Sequence, residues 1–197
     1  DQFRACQAAA VSPLGQVRTI AAHCALLRCL PVVLNLKAKR GVVAALGEFR
    51  GDATVLAALT PLARRDQSWF VEAEACRSIG KLRLPGSLEV LQANIDRSSF
   101  RQVVRIGCID GLVELRDEAG LEIIARVARY GEPFQGRTPA VGALARLGQY
   151  FPERKKLLGE QIAEFLDDPD FRVRIAAANA LKTLKDDSQV AALDRMA

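Results

Sequence analysis

One register constrains this chain more than any other feature. An apolar residue returns at Leu14, Leu46, Ile79, Leu112, Leu147 and Leu181, with spacings of 32, 33, 33, 35 and 34 residues. Four residues before each mark stand Ala10, Val42, Ala75, Cys108, Ala143 and Ala177, all small or apolar. Immediately after each mark stand Gly15, Gly47, Gly80, Val113, Gly148 and Lys182; four of the six are glycine, as a helix C-terminus prefers. Agreement at three columns over six copies marks a repeat architecture. In such a chain one unit cannot bury its apolar face alone, but a row of units can. The clearest copy is Phe171–Leu184. Pro169 blocks helix before it and Asp170 is a good N-cap, so a helix starts at Phe171. Val173, Ala177, Ala178 and Leu181 then form one apolar face, and the run Ala176–Ala178 suits a closely approaching neighbour.

Each marked helix (B) is followed by a second helix (A). The periodicity predicts B helices over Phe3–Leu14, Leu36–Phe49, Trp69–Leu82, Phe100–Leu115, Gly136–Gly148 and Phe171–Leu184. It predicts A helices over Thr19–Leu30, Asp52–Ala63, Ser87–Ile95, Asp117–Tyr130, Glu153–Leu166 and Ser188–Met196. Gly51-Asp52, Pro85-Gly86, Pro152 and Asp186-Asp187 punctuate the turns. Pro139 is tolerable near a helix start, whereas Pro13 cuts the first B helix short. Hydrophobic residues make up 50% of the chain and aromatics 6%, which favours packed helices over a sheet. Thr60-Pro61-Leu62-Ala63 occurs once, so ankyrin units do not fit; one Trp and two Tyr cannot fill tetratricopeptide positions. Asp170-Phe171-Arg172-Val173-Arg174 matches the D-x-x-V-R opening of short HEAT-type repeats. The expected fold is all-α: a right-handed α-α superhelix, a HEAT-like solenoid of about six two-helix repeats, forming one domain over residues 1–197. The chain opens inside a B helix. That predicts the C-terminal piece of a longer protein, self-associating through an exposed first repeat.

Charge and thiols narrow the class. There are 28 basic and 23 acidic side chains, a formal +5, and the two signs interleave. This permits an acidic partner without demanding one. Cys6, Cys24, Cys29, Cys76 and Cys108 are odd in number and have no C-x-x-C spacing, so buried free thiols in a reducing, cytoplasmic setting are expected. No apolar run reaches the ~18 residues of a membrane span.

Candidate chemistry is sparse. His23 is the only histidine; with Cys24 or Cys29 it falls short of the three or four ligands a zinc site needs, and it reads as a packing or surface residue. Glu72 and Glu74 diverge on one helix, and Asp167, Asp168 and Asp170 read as helix-end residues. There is no phosphate-binding glycine motif. No catalytic, cofactor or metal residue is assigned in this segment. One polar column stands out: Gln7, Lys39, Glu72, Arg105, Ala140 and Arg174 share a register three residues before the small-residue column. On the concave B-helix side, Lys39, Glu72, Arg105 and Arg174 are candidate contacts for a peptide or protein. The competing reading is solvated charges paired locally, Lys39 with Glu72 and Glu72 with Arg105. Bases also gather around Lys37–Arg40, Arg64-Arg65, Arg97–Arg105 and Arg154–Lys156. Glu72, Glu74 and Asp110 interrupt them, which disfavours a nucleic-acid groove.

The runs Ser68-Trp69-Phe70-Val71-Glu72-Ala73-Glu74-Ala75 with Ile79–Leu82, Ser99–Gly107, and Asp168–Arg174 resemble the C-terminal HEAT-like domain of bacterial aminopeptidase-N-like zinc metallopeptidases. In that family an upstream domain binds zinc through H-E-x-x-H and a distal Glu, and the helical domain roofs the site. The resemblance implies a non-catalytic cap that contacts peptide substrate, with its upstream catalytic domain as partner and zinc expected there. The alternative is a stand-alone HEAT-repeat scaffold for protein–protein interaction.

Overall fold

The computed structural model describes residues 19–185. The predicted first B helix and last A helix lie outside them, as do Cys6 and the proposed self-associating repeat. Within them are ten α-helices and, among the described residues, no strand: α1 (Ile20–Cys29), α2 (Leu36–Leu46), α3 (Ala53–Arg64), α4 (Trp69–Leu82), α5 (Ser87–Asn94), α6 (Val103–Leu115), α7 (Ala119–Ala128), α8 (Phe134–Gly148), α9 (Lys155–Glu164) and α10 (Phe171–Leu184). The fold is all-α and HEAT-like, an α-α solenoid type built of A–B hairpins. Contacts divide the chain into two compact units with the boundary between Leu115 and Arg116.

In the first unit the hairpins are α1–α2, α3–α4 and α5–α6, and the B helices α2, α4 and α6 stack side by side. In the second they are α7–α8 and α9–α10, with α8 against α10. Side-chain caps start four helices, among them the one expected at Asp170. Thr19 accepts from the Ala22 N–H at 3.2 Å, Asn35 from Ala38 at 3.0 Å, Asp52 from Thr54 at 2.8 Å and Asp170 from Arg172 at 2.9 Å. The register marks Leu46, Ile79, Leu112, Leu147 and Leu181 are all buried, as are the small residues Val42, Ala75, Cys108, Ala143 and Ala177. Within each unit, neighbouring hairpins therefore hide their apolar stripes against one another.

Four details depart from the sequence reading. On α10 the buried set is Val173, Ala177, Ala180, Leu181 and Leu184; Ala180 replaces Ala178, because the stripe drifts along a 3.6-residue helix. Helix α8 begins at Phe134, two residues early, so Pro139 lies inside it rather than in its first turn. Residues Phe100–Gln102 form a 3₁₀ turn before α6, not helix. The glycines after the marks do not end helices in the left-handed conformation either. Gly47 has φ −60°, and Gly80 and Gly148 are helical. Left-handed φ falls instead on Arg83 (54°), Arg116 (59°) and Lys185 (56°). The glycines are there for close approach. A Cβ on Gly47 would meet Ser78 Cβ at 2.8 Å, one on Gly80 would meet the Gly111 carbonyl oxygen at 1.9 Å, and one on Gly148 would meet Leu158 Cδ1 at 2.5 Å.

Candidate interaction surface

In the first unit the turns leading into B helices bring most of the polar column together, though not as a solvated ladder. Lys39 pairs with Asp66, not with Glu72. The Asp66 N–H donates to Glu72 Oε1 at 2.9 Å, and Arg97 Nη2 donates to Glu72 Oε2 at 3.1 Å. Arg97 also donates to the Ala63 carbonyl at 2.8 Å, tying this turn to the previous A helix. Glu72 is 2% exposed and Arg105 6%. Arg105 Nε donates to the Ile95 carbonyl at 3.0 Å, and its guanidinium lies 3.6 Å from Asp96. Burial of these charges is sustained because each is paired and hydrogen-bonded.

In the second unit the register slot holds Ala140, and Arg137, one turn earlier, takes up the Arg105 role. Its Nε donates to the Ala128 carbonyl at 3.1 Å, and its two terminal nitrogens grip the Asp168 carboxylate. Burial alone would push the Asp168 carboxyl up. The Arg137 hydrogen bond, the Asp170 N–H and the Arg137 charge outweigh that and hold it below the ordinary carboxylate range. Arg174, half-buried, donates to the Asp168 carbonyl at 2.9 Å. A B-helix arginine reaching back to the turn or end of the preceding A helix is thus a recurrent fastening. Asp66 and Arg97, the partners of Lys39 and Glu72, were missed because they sit outside the column; the only sequence signal was an acid just before a B helix.

Other ion pairs lie along the B row in a different register, two of them on the buried Glu74. Arg40 lies 3.3 Å from Glu74, Arg77 bonds Glu74 at 2.9 Å and Asp110 at 3.0 Å, and Lys81 bonds Glu48 at 2.7 Å. His23 stands 2.9 Å from Asp52 and packs on the Phe49 ring. Cys76 and Cys108 are buried free thiols, but Cys24 and Cys29 are exposed, because α1 turns that side to solvent. Among the described residues no three His, Cys, Asp or Glu converge on a metal position, and no helix is long and apolar enough to cross a membrane.

What the turns leave uncovered is aromatic. Trp69 and Phe70 begin α4 and Phe100 precedes α6; they are 47%, 53% and 56% exposed. Trp69 and Phe100 stack with centroids 6.2 Å apart and planes 8° off parallel. Arg101 and Gln102, which follow Phe100, both take left-handed φ, 49° and 59°. Each such residue costs of order 1–3 kcal/mol, a strain typical of binding sites. Along the same edge an open groove of about 600 Å³ is lined by Leu34, Leu36, Lys39, Arg65 and neighbours. In the second unit, by contrast, Arg172 covers Phe134 at 4.2 Å and Arg116 covers Tyr150 at 4.0 Å. Among the described residues no guanidinium covers the Trp69–Phe100 stack.

Residues 34–106 match the family of HEAT repeats. No curated protein sequence matches the chain. Among solved structures, the complex of CpcE and CpcF of phycocyanin lyase from Nostoc sp. PCC7120 is similar at 20% identity and a TM-score of 0.58, over 80% of this chain and 63% of that one. The protein therefore spans under two thirds of the length of that chain, and at this identity the likeness concerns the fold. The HEAT match and this likeness overturn the resemblance to an aminopeptidase C-terminal domain. The physical reason lies in the runs that suggested it. Val71, Ala75, Val104 and Val173 are core, Glu72 and Arg105 fasten turns, and Asp168 holds Arg137. These are tasks of helical repeats in general, with no content particular to a peptidase. The chain is an all-α protein of HEAT-like fold, and its residues 34–106 match HEAT repeats.

Proposed function

We propose that this protein is a HEAT-repeat scaffold whose work is to bind another protein. The observation that carries the reading is the uncovered cluster of Trp69, Phe70 and Phe100. Large aromatics left in water beside one another are disfavoured in a free surface, and they are the side chains that dominate protein–protein binding energy. The similar solved structure is itself a complex of two proteins, CpcE and CpcF, which supports the same use of the fold. Of the four column residues, Lys39 lines the groove and is the one retained as a contact; Glu72 and Arg105 act on the turns. A reducing, cytoplasmic setting suits the exposed thiols of Cys24 and Cys29.

The test is reconstitution. Tagged protein is recovered from its host, co-purifying proteins are identified by mass spectrometry, and each is purified and mixed with the wild-type chain and with a Trp69→Ala/Phe100→Ala variant. Size-exclusion chromatography with light scattering is expected to show a stoichiometric complex for wild type and its loss in the variant, with an unchanged circular-dichroism melt. If the wild-type chain elutes alone with every candidate, the scaffold reading is refuted.

A further inference from the structure

Resting on that reading, we propose that the turn edge of the first unit docks an extended, acidic segment of the partner protein carrying spaced apolar side chains. Two anchors are present on this edge. One is the groove beside Leu34 and Leu36; the other is the Trp69–Phe100 stack. Leu36 and Trp69 hold equivalent positions on adjacent B helices, α2 and α4, which pack together. Packed helices lie about 8–10 Å apart. A chain extended as a polyproline-II helix advances about 3.1 Å per residue and returns a side chain to the same face every third residue, so an apolar side chain at every third position meets both anchors.

The sign of the partner follows from the charges. Every carboxylate on this edge is engaged: Asp66 by Lys39, Glu72 by Arg97, and Asp96 by Arg105. Lys37, Arg64, Arg65 and Arg101 are exposed, and none pairs with a carboxylate among the described residues. Arg65 lines the groove and Arg101 adjoins Phe100, so the surplus bases flank both anchors. A segment with carboxylates between its apolar side chains matches this pattern. One with lysines meets four cations and no free acid.

The chain's single tryptophan makes the test direct, because Trp69 is the anchor itself. The probe is a fluorescein-labelled 12-residue peptide with Leu or Phe at every third position and Glu between. Its lysine counterpart and a 12-nucleotide single-stranded DNA are titrated beside it at 50 mM salt. Expected is saturable binding of the acidic peptide by anisotropy, a shift of Trp69 emission, and no binding of the lysine peptide. Arg65→Glu/Arg101→Glu is expected to weaken binding by about tenfold or more, while Lys156→Glu/Lys182→Glu, exposed bases of the second unit, leaves it unchanged.

Equal binding of the lysine peptide, an unchanged Trp69 emission, or indifference to Arg65→Glu/Arg101→Glu would overturn the proposal. So would DNA shifting Trp69 while the acidic peptide does not, which would make this a nucleic-acid face. Failure here is separable from failure of the scaffold reading. A partner complex that survives Arg65→Glu/Arg101→Glu leaves the scaffold standing and removes only this docking edge.

Discussion

Gly80 is the sharpest place to test how the first unit holds together. Alanine is the better helix former by about 1 kcal/mol, so on local grounds Gly80→Ala stabilises α4. The tertiary structure predicts the reverse. The new Cβ would stand 1.9 Å from the Gly111 carbonyl oxygen, 2.5 Å from its carbonyl carbon and 2.6 Å from its Cα. All three are backbone atoms of α6, so no side chain can swing away. Reaching an ordinary contact requires a displacement of about 1.5 Å. The helix pair is pinned nearby as well, since a Cβ on Gly107 would lie 2.5 Å from the Ala73 carbonyl oxygen. Displacement opens a seam lined by the fully buried Cys76, Ile79, Cys108 and Leu112. A gap of about 1 Å forfeits roughly a quarter to a half of the dispersion attraction across it. Overpacking costs about 1–3 kcal/mol, and a clash this close with backbone belongs at the upper end, so subtracting the helix-propensity gain of about 1 kcal/mol leaves a net loss of about 2 kcal/mol. Gly142→Ala is the matched control. It is also inside a helix, α8, but nothing lies within 4 Å of the added Cβ, so a gain of up to about 1 kcal/mol is expected. Urea unfolding followed by circular dichroism at 222 nm measures both. A Gly80→Ala protein as stable as wild type, or two variants with the same sign, would refute the argument.

Two further outcomes follow from buried groups. Arg137→Ala removes the cation facing the buried Asp168 carboxylate and should cost about 3–5 kcal/mol at pH 7. The folded carboxyl titrates below its ordinary value, so the pair's contribution is complete above the unfolded pKa near 3.9 and is lost as pH falls through the lower folded value. The stability gap between wild type and Arg137→Ala should therefore narrow on acidification and be smallest below about pH 4; a gap unchanged down to pH 2.5 contradicts the pairing. The Cys108 thiol is pushed well up by its hydrogen bond with Cys76 and by burial, so native alkylation at pH 8 should label Cys24 and Cys29 and spare Cys76 and Cys108 in a peptide map.

The repeat, the hairpins and the buried marks were legible in the sequence because they depend on periodicity, which is local. Trp69–Leu82 and Phe171–Leu184 have the boundaries their patterns predict, with apolar spacing and flanking punctuation agreeing at each. The aminopeptidase resemblance failed for a related reason. The quoted runs are dense in residues that any stacked hairpin needs, and similarity among them reports packing rather than chemistry. Register alone places Glu72 and Arg105 on an exposed face, whereas both are buried. Register fixes which face of a helix a residue occupies; it does not say what the preceding turn lays over that face.

By itself, then, the sequence determined the helical class, the period, the Asp170 cap and the core columns. Each follows from the spacing of apolar residues along a 3.6-residue turn and from the few side chains that can cap it. The tertiary structure alone decided the rest. It turned the glycine column from helix ends into points of backbone contact, because only packed helices bring the Gly111 carbonyl oxygen over Gly80. It joined Lys39, Asp66, Glu72 and Arg97 into one turn network, because residues up to 27 apart in sequence meet there. It left Trp69, Phe70 and Phe100 in water while burying charges beside them, since which side chain is covered depends on the neighbouring hairpin and not on the residue's own hydrophobicity.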